Sequence, residues 1–248
     1  PTKTKSFKEI HELSSDRSAF VKFLKKIDEL DKFKDGYWWV QNFSSMLPIM
    51  LSPNLKNKSI LDLCAAPGGK AFQLISRGYN VTLNDVNKKR IKVLKENLIR
   101  LNFSNKIQNF DALKFPETKK YDVVFIDAPC SSIGTVRKNP DIMFKTKIPD
   151  LNKLAHLQYQ LLLKSAKLIN NNGVIIYMVC SFLYRETLMP IKKFLKHNNN
   201  FEILKYELPK DLKIKSFINK EGFFLTAPNS YKNYLIDGFF SVQLTKHD

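Results

Sequence analysis

The sequence predicts an α/β protein built on a mostly parallel sheet with helices on both faces, and three observations lead there. From Lys58 onward, short runs rich in Val and Ile alternate with segments of helical periodicity. Those runs are almost continuously apolar, as strands covered on both faces are. Several of them end in aspartate or cysteine, followed at once by a loop.

The elements follow in order. In DRSAFVKFLKKIDELDKF, Phe20, Phe23, Leu24, Ile27 and Leu30 recur at helical spacing with lysines between them, which predicts an amphipathic helix after an Asp16 cap. DGYWWVQ reads as extended; of Tyr37, Trp38 and Trp39, at least one ring is expected in the core. FSSMLPIMLSPNL resumes a helical pattern that Pro48 kinks or Pro53 ends.

Then comes the alternation. KSILDLC is a strand, GKAFQLISRG a helix closed by Gly78, NVTLND a strand, and NKKRIKVLKENLIRLN a helix with Ile91, Leu94, Leu98 and Leu101 on one face. NKIQNF is a weak strand, YDVVFIDAP a strong one, LNKLAHLQYQLLLKSAKLI a long helix and GVIIYMVCS a further strand. The last third differs: FEILKYEL and DGFFSVQLTK are strands with no helical run between them, so they are expected to lie antiparallel at the sheet edge.

Composition bounds the function. The chain has 248 residues, enough for one large domain with a small appendage. No apolar run approaches the roughly 18 residues that span a bilayer, so a soluble, cytoplasmic and monomeric protein without membrane contact is expected. Three cysteines without a CxxC and four scattered histidines argue against a disulfide framework and against bound metal. Lys and Arg outnumber Asp and Glu by 41 to 23, a formal charge of +18, which favours a polyanion such as nucleic acid. The lysines are spread along a chain also rich in Asn, Ile and Phe, as an AT-biased genome produces. Charge alone therefore names no substrate.

Ligands of an open α/β sheet bind beyond the carboxyl ends of its strands. AAPGGK follows the first strand there, and its glycines let the backbone approach a ligand near a helix N-terminus. Asp85 ends the second strand, where a carboxylate can accept both ribose hydroxyls; Asp111 follows the third, placed for an adenine amino group; Asp127 ends the fourth. A dinucleotide and S-adenosylmethionine both fit these features. The absence of a full GxGxxG weakens the first, and the antiparallel closing pair suits the second.

LDLCAAPGGKA, NDVNKKRIKVLKENLIRL, FDALKF, DAPCSSIGTVRKNPD, VIIYMVCSF and the ending IDGFFSVQLTK together resemble the motifs of the RNA cytosine-C5 methyltransferases, and most closely the bacterial branch acting on 16S ribosomal RNA. The resemblance runs from about Gly36 to the end. It implies a Rossmann-like class I S-adenosylmethionine-dependent methyltransferase with a seven-stranded sheet and an antiparallel terminal strand. Residues 43–248 would be the catalytic domain, and residues 1–42 a helical and extended appendage, the remnant of an RNA-binding domain. Pro1 in place of an initiator Met adds the expectation of a missing upstream domain.

By the same resemblance S-adenosylmethionine is the cofactor, bound by Cys64, Ala65, Ala66, Pro67, Gly68, Gly69, Lys70, Asp85, Arg90, Asp111 and Asp127. Cys180 is the nucleophile that adds to C6 of the pyrimidine, and Cys130 assists product release. On chemistry alone Cys130 is also a candidate, because DNA cytosine methyltransferases use a Pro-Cys cysteine. Asp127, its pKa raised by burial, is expected to protonate N3, and Lys70 to stabilise developing charge or lower the thiol pKa. Arg137 and Lys138 are expected on RNA phosphates. The chain departs from the family pattern twice: Val179 replaces the Thr before the cysteine and Met178 a small polar residue. The acidic and amide pair that often follows is reduced to Glu186 and Thr187, and the lost hydroxyl is expected to weaken positioning of the cysteine or the base. A transfer-RNA substrate, or a catalytically weak RNA-binding assembly protein on the same fold, are the alternatives.

Overall fold

The computed structural model describes residues 7–13, 18–23, 26–144, 149–207, 217–231 and 234–247. Its centre is an eight-stranded sheet. In chain order its elements are β3 (Ile60–Asp62), α2 (Gly69–Ser76), β4 (Val81–Asn84), α3 (Lys88–Arg100), β5 (Ile107–Gln108), β6 (Tyr121–Asp127), α4 (Leu151–Leu168), β7 (Ile169–Val179), α5 (Leu188–His197), β8 (Phe201–Leu204), β9 (Phe224–Thr226) and β12 (Phe239–Lys246). While β10 (Asn229–Tyr231) and β11 (Tyr234–Ile236) form a separate antiparallel pair, the spatial order in the central sheet is β5-β4-β3-β6-β7-β12-β8, with β9 also paired to β12. The first five of these are mutually parallel, and β12 runs antiparallel to β7, β8 and β9. Seven strands form this continuous path, the number the resemblance implies, and β9 joins β8 on the outer side of β12.

The two faces separate by residue parity. Val123 and Phe125 of β6 and Ile176 and Met178 of β7 join a core with α1 (Phe43–Met50), α2 and α3. Val124, Ile126, Ile175, Tyr177 and Val179 face the other way and pack with Leu161 and Leu162 of α4 and Ile191 and Phe194 of α5. Strands with both faces covered are the reason the sequence shows unbroken apolar runs. Helix α5 lies outside the expected helices, although LMPIKKFLKH buries Pro190, Ile191 and Phe194 on one side.

Chain order reverses between β3 and β6, since β3, β4 and β5 step one way and β6 and β7 the other. The crevice of such a sheet lies at that switch, beyond the strand ends. Asn84 stitches those ends together: its amide donates to the Leu63 and Phe110 carbonyls at 3.0 and 3.1 Å, and its Oδ1 accepts from the Phe110 amide at 3.0 Å.

The N-terminal helix expected after Asp16 is not what forms. β1 (Phe7–Leu13) and β2 (Ser18–Phe23) make an antiparallel hairpin with Ile10 opposite Val21 and His11 opposite Phe20; Asp16 itself lies outside the described residues. Ala19, Val21 and Phe23 follow a two-residue repeat alongside the helical spacing of Phe20, Phe23 and Leu24, and β1 supplies backbone partners that local spacing cannot reveal.

Residues 26–42 are tied to the main domain. Arg100, at the end of α3, donates to the carbonyls of Phe33 at 2.7 Å and Trp38 at 3.1 Å, and its guanidinium lies 4.0 Å from the Phe33 ring centroid. Trp39 packs edge-on against Phe72, whereas Tyr37 is 70% exposed. In α1, Asn42 caps by accepting from the Ser45 amide, and Pro48 is accommodated within a helix that runs only to Met50.

Candidate functional site

At the switch point, four strand ends converge. β3 delivers Asp62, β4 leads into Asp85, β6 ends in Asp127, and β7 leads into Cys180. Gly68 caps α2 with φ of +119°, and a Cβ there would meet the Phe72 ring at 2.2 Å. Only glycine lets the AAPGGK turn lie so close to its own helix.

Asp85 is 3% exposed; it accepts from the Ala66 amide at 3.1 Å and the Asn87 amide at 2.9 Å, with Arg90 3.8 Å away. It therefore braces the loop of Ala65, Ala66 and Pro67 while standing at the sheet's open end. Asp111 is exposed and accepts from the Leu113 amide at 3.0 Å, capping the short 3-10 turn after β5.

Asp127 differs from the buried carboxyl that the sequence suggests. Its side chain is 34% exposed and accepts from Lys70 Nζ at 2.6 Å. Burial alone pulls the Lys70 ammonium down, but the charge and hydrogen bond of Asp127 outweigh it and hold it above its usual value. The acid whose carboxyl burial raises is Asp62, 2% exposed inside LDLC and outside the expected site residues. Burial first, and then the charge of Asp127, push its carboxyl up to about 7, and its Oδ1 is buried without a hydrogen-bond partner.

The three thiols separate clearly. Burial, reinforced by Asp62, Asp127 and Asp85, pushes Cys64 far up, so it stays protonated. Cys130 and Cys180 lie with their sulfurs 3.2 Å apart. Cys130 is pushed well up, first by its hydrogen bond to Cys180 and then by burial. Cys180 is lowered to about 7, because the Cys130 hydrogen bond, helped by Ser132 and Lys70, outweighs burial and Asp127. Cys180 is thus the more acidic of the two thiols, with Cys130 in place to hydrogen-bond its thiolate form.

Val179 is fully buried on the α4 and α5 side of the sheet, and Met178 on the opposite side. Position 179 therefore does not line the site, and the hydroxyl beside Cys180 comes from Ser132, 3.4 Å from its sulfur.

The loop after β6 is held at three points. Gly134 donates to the Cys180 carbonyl at 3.0 Å and accepts from the Gly238 amide at 2.8 Å. Arg137 Nε donates to Asp237 Oδ1 at 3.0 Å, and Lys138 Nζ lies 3.2 Å from Asp237 Oδ2. Asp237 is 2% exposed and also accepts from the Asn42 amide group. Both cations named as phosphate contacts are thus engaged with one acid, while Lys138 remains about half exposed. The third point is Glu186, buried and accepting from Ser131 and Ser181.

A cofactor carrying an ammonium and a ribose would find its acceptors among Asp62 and Asp85. Among the described residues no group of three or more His, Cys, Asp or Glu is arranged to hold a metal ion, and no helix is long and apolar enough to cross a membrane.

Comparison with known proteins gives consistent results. Residues 48–245 match the family model described as 16S rRNA methyltransferase RsmB/F. The ribosomal RNA small subunit methyltransferase B of Photorhabdus laumondii is 33% identical over 179 residues, covering 70% of this chain and 42% of that protein. The 25S rRNA (cytosine-C(5))-methyltransferase nop2 of Schizosaccharomyces pombe is 33% identical over 233 residues, covering 85% of this chain and 37% of that one. The crystal structure of NSun6 from Pyrococcus horikoshii with SFG, an S-adenosylmethionine analogue, superposes with a TM-score of 0.76 at 25% identity, over 95% of this chain and 61% of that chain. The chain thus spans less than half the length of these two curated relatives. With a Rossmann-like sheet, paired strand-end cysteines and a family match over most of its length, this chain belongs to the RsmB/F family of 16S rRNA methyltransferases.

Proposed function

We propose that the chain transfers a methyl group from S-adenosylmethionine to C5 of a cytidine in ribosomal RNA, specifically the small-subunit 16S RNA, with Cys180 as nucleophile. The observation that carries this reading is the contact between two sulfurs in which Cys180 is the more acidic. The family model and the relatives' names support the methyl transfer and the RNA.

S-adenosylmethionine fits the residues present. The unpartnered Asp62 Oδ1 suits an ammonium, Asp85 a ribose diol, and the turn at Gly68 leaves room for a close approach. We assign Cys64 to Lys70, Arg90, Asp111 and Asp127 to the same site. When bound, the cofactor supplies an electrophilic methyl group to C5.

The protein's own part begins with the base. C5 and C6 of a stacked cytosine are inaccessible, so the substrate is unpaired or extruded. The thiolate of Cys180 adds to C6, forming an S–C6 bond and moving the C5=C6 electron pair into the ring as N3 takes a proton from the hydrogen-bonded Asp127–Lys70 pair. C5 then has the character of an enamine carbon. Asp127, held by Lys70, is the carboxyl we assign to the pyrimidine edge. After methylation, N3 returns its proton to the Asp127–Lys70 pair, and loss of the C5 proton to solvent restores the C5=C6 bond and expels the thiolate. Cys130, which keeps its proton beside Cys180, assists that departure. The formal charge of +18 supports an RNA partner, and Arg137 and Lys138 are assigned to its backbone.

The experiment is methyl incorporation from labelled cofactor into unmodified 16S RNA, with each thiol replaced in turn. Cys180→Ala should abolish incorporation and form no RNA–protein adduct on denaturing gels, whereas Cys130→Ala should accumulate adduct. The reverse pattern would overturn the assignment, and bisulfite mapping of the product identifies the nucleotide.

A further inference from the structure

We infer that Glu186 is a positioning residue of this site: its buried carboxylate clamps the two serines that follow the two cysteines, and so sets the contact between the sulfurs. The inference rests on the reading of Cys180 as the nucleophile.

The pattern begins in the sequence, where APCSS and MVCSF each place a serine directly after the cysteine. In the fold both serines turn to one acceptor. Glu186 Oε1 accepts from the Ser131 amide at 2.7 Å, and Oε2 accepts from the hydroxyls of Ser131 and, at 2.7 Å, Ser181. Gln158 of α4 reaches it at 3.4 Å and donates to the Pro129 carbonyl at 3.0 Å, gripping the Pro-Cys loop from its other side. The Glu186 carbonyl accepts from the Tyr177 hydroxyl at 2.7 Å, which anchors the residue to β7 itself.

These donors span the loop after β6, the loop after β7 and helix α4, regions up to 55 residues apart in sequence. A fully buried carboxylate is tolerated because hydrogen bonds replace its hydration. Glu186 acts on the sulfurs only through its serine partners. Its geometric consequence is direct, because each serine it holds is covalently next to a sulfur-bearing residue. Releasing either arm frees one cysteine from the other.

The test uses the full chain and three variants, Ser131→Ala, Ser181→Ala and Glu186→Gln, with two readouts. The first is the pH profile of Cys180 alkylation by iodoacetamide, read by peptide mass spectrometry without RNA or cofactor. The second is kcat and KM on unmodified 16S RNA.

The expected result is an upward shift of the alkylation midpoint in both serine variants, and a kcat loss of roughly tenfold or more with KM little changed, since small misplacements of a reacting group cost that much. Glu186→Gln should lower kcat similarly, and adding Ser131→Ala to it should cost little more. Ser131→Thr, which keeps the hydroxyl, should recover much of the loss.

Wild-type midpoints and kcat in both serine variants would overturn the inference, as would a rate loss that disappears when assays are run well below each variant's melting temperature. If Glu186→Gln does not fold, the serine variants decide. Methylation that survives Cys180→Ala sinks the parent reading instead, and the alkylation profile still tests the clamp.

Discussion

The sulfur of Cys130 lies 3.2 Å from that of Cys180, joining the loops after β6 and β7, and the two thiols are displaced in opposite directions. The contact, with burial, raises Cys130, and the same contact lowers Cys180 to about 7. Removing the donor in Cys130→Ala leaves burial, which raises a thiol pKa, less opposed. The midpoint of Cys180 alkylation should then rise by one pH unit or more from about 7, as followed by alkylation across pH 5 to 10. A midpoint that stays in place would show that the contact does not set the ionisation.

Asp62 carries a pH signature in stability. Its carboxyl is raised from 3.8 to about 7 in the folded protein, so between those values the unfolded chain has lost the proton that the folded one keeps. Stability from this group is fully present below about 4 and falls as pH rises to about 7. Asp62→Asn should therefore stabilise the chain at pH 8 relative to wild type, by on the order of a few kcal/mol, and little at pH 4. Urea denaturation at the two pH values measures this, and cofactor affinity should fall in the same variant.

Gly134 sits where backbone meets backbone. A Cβ added there would lie 2.1 Å from the Gly238 carbonyl oxygen and 2.9 Å from that of Cys180. No flexible side chain can yield, so Gly134→Ala should cost roughly 1–3 kcal/mol, as overpacking does, and should displace the cysteine loop. Thermal melting reports the first effect and a slowed Cys180 alkylation the second; an unchanged melt would mean the loop relaxes freely.

Asp237 holds Arg137 and Lys138 to the turn before β12. Asp237→Ala removes the anion and leaves two cations, of which Arg137 is 29% and Lys138 47% exposed. Because both can turn to water, the loss should be roughly 2 kcal/mol, below the 3–5 typical of a fully buried pair. A urea midpoint unchanged from wild type would show that the bridge contributes nothing net.

Particular residues show how much of this was legible beforehand. Lys70, Asp85 and Asp127 were placed at one end of the sheet because strands alternate with helices and each residue stands at a strand end or just past one; the parallel order then brings those ends together. Asp62 escaped notice because it lies within an apolar run, where burial and an unpartnered oxygen leave no trace in spacing. The segment after Asp16 has Phe20, Phe23 and Leu24 at helical spacing, yet residues 18–23 form a strand, because its pairing partner lies at residues 7–13. Val179 looked like a lost catalytic hydroxyl until strand parity turned it into the core and Ser132 supplied the contact.

Local patterning, then, determined the sheet, its parallel majority, its antiparallel closing strands and the short list of chemically able residues, because periodicity and strand-end chemistry are properties of neighbours in the chain. Only the tertiary structure decided which thiol is the more acidic, which strand-end carboxyl burial raises, and that Glu186 and Asp237 anchor loops 55 and 100 residues away. Ionisation depends on burial and on charges a few ångströms distant, and those distances exist only once the strands are side by side.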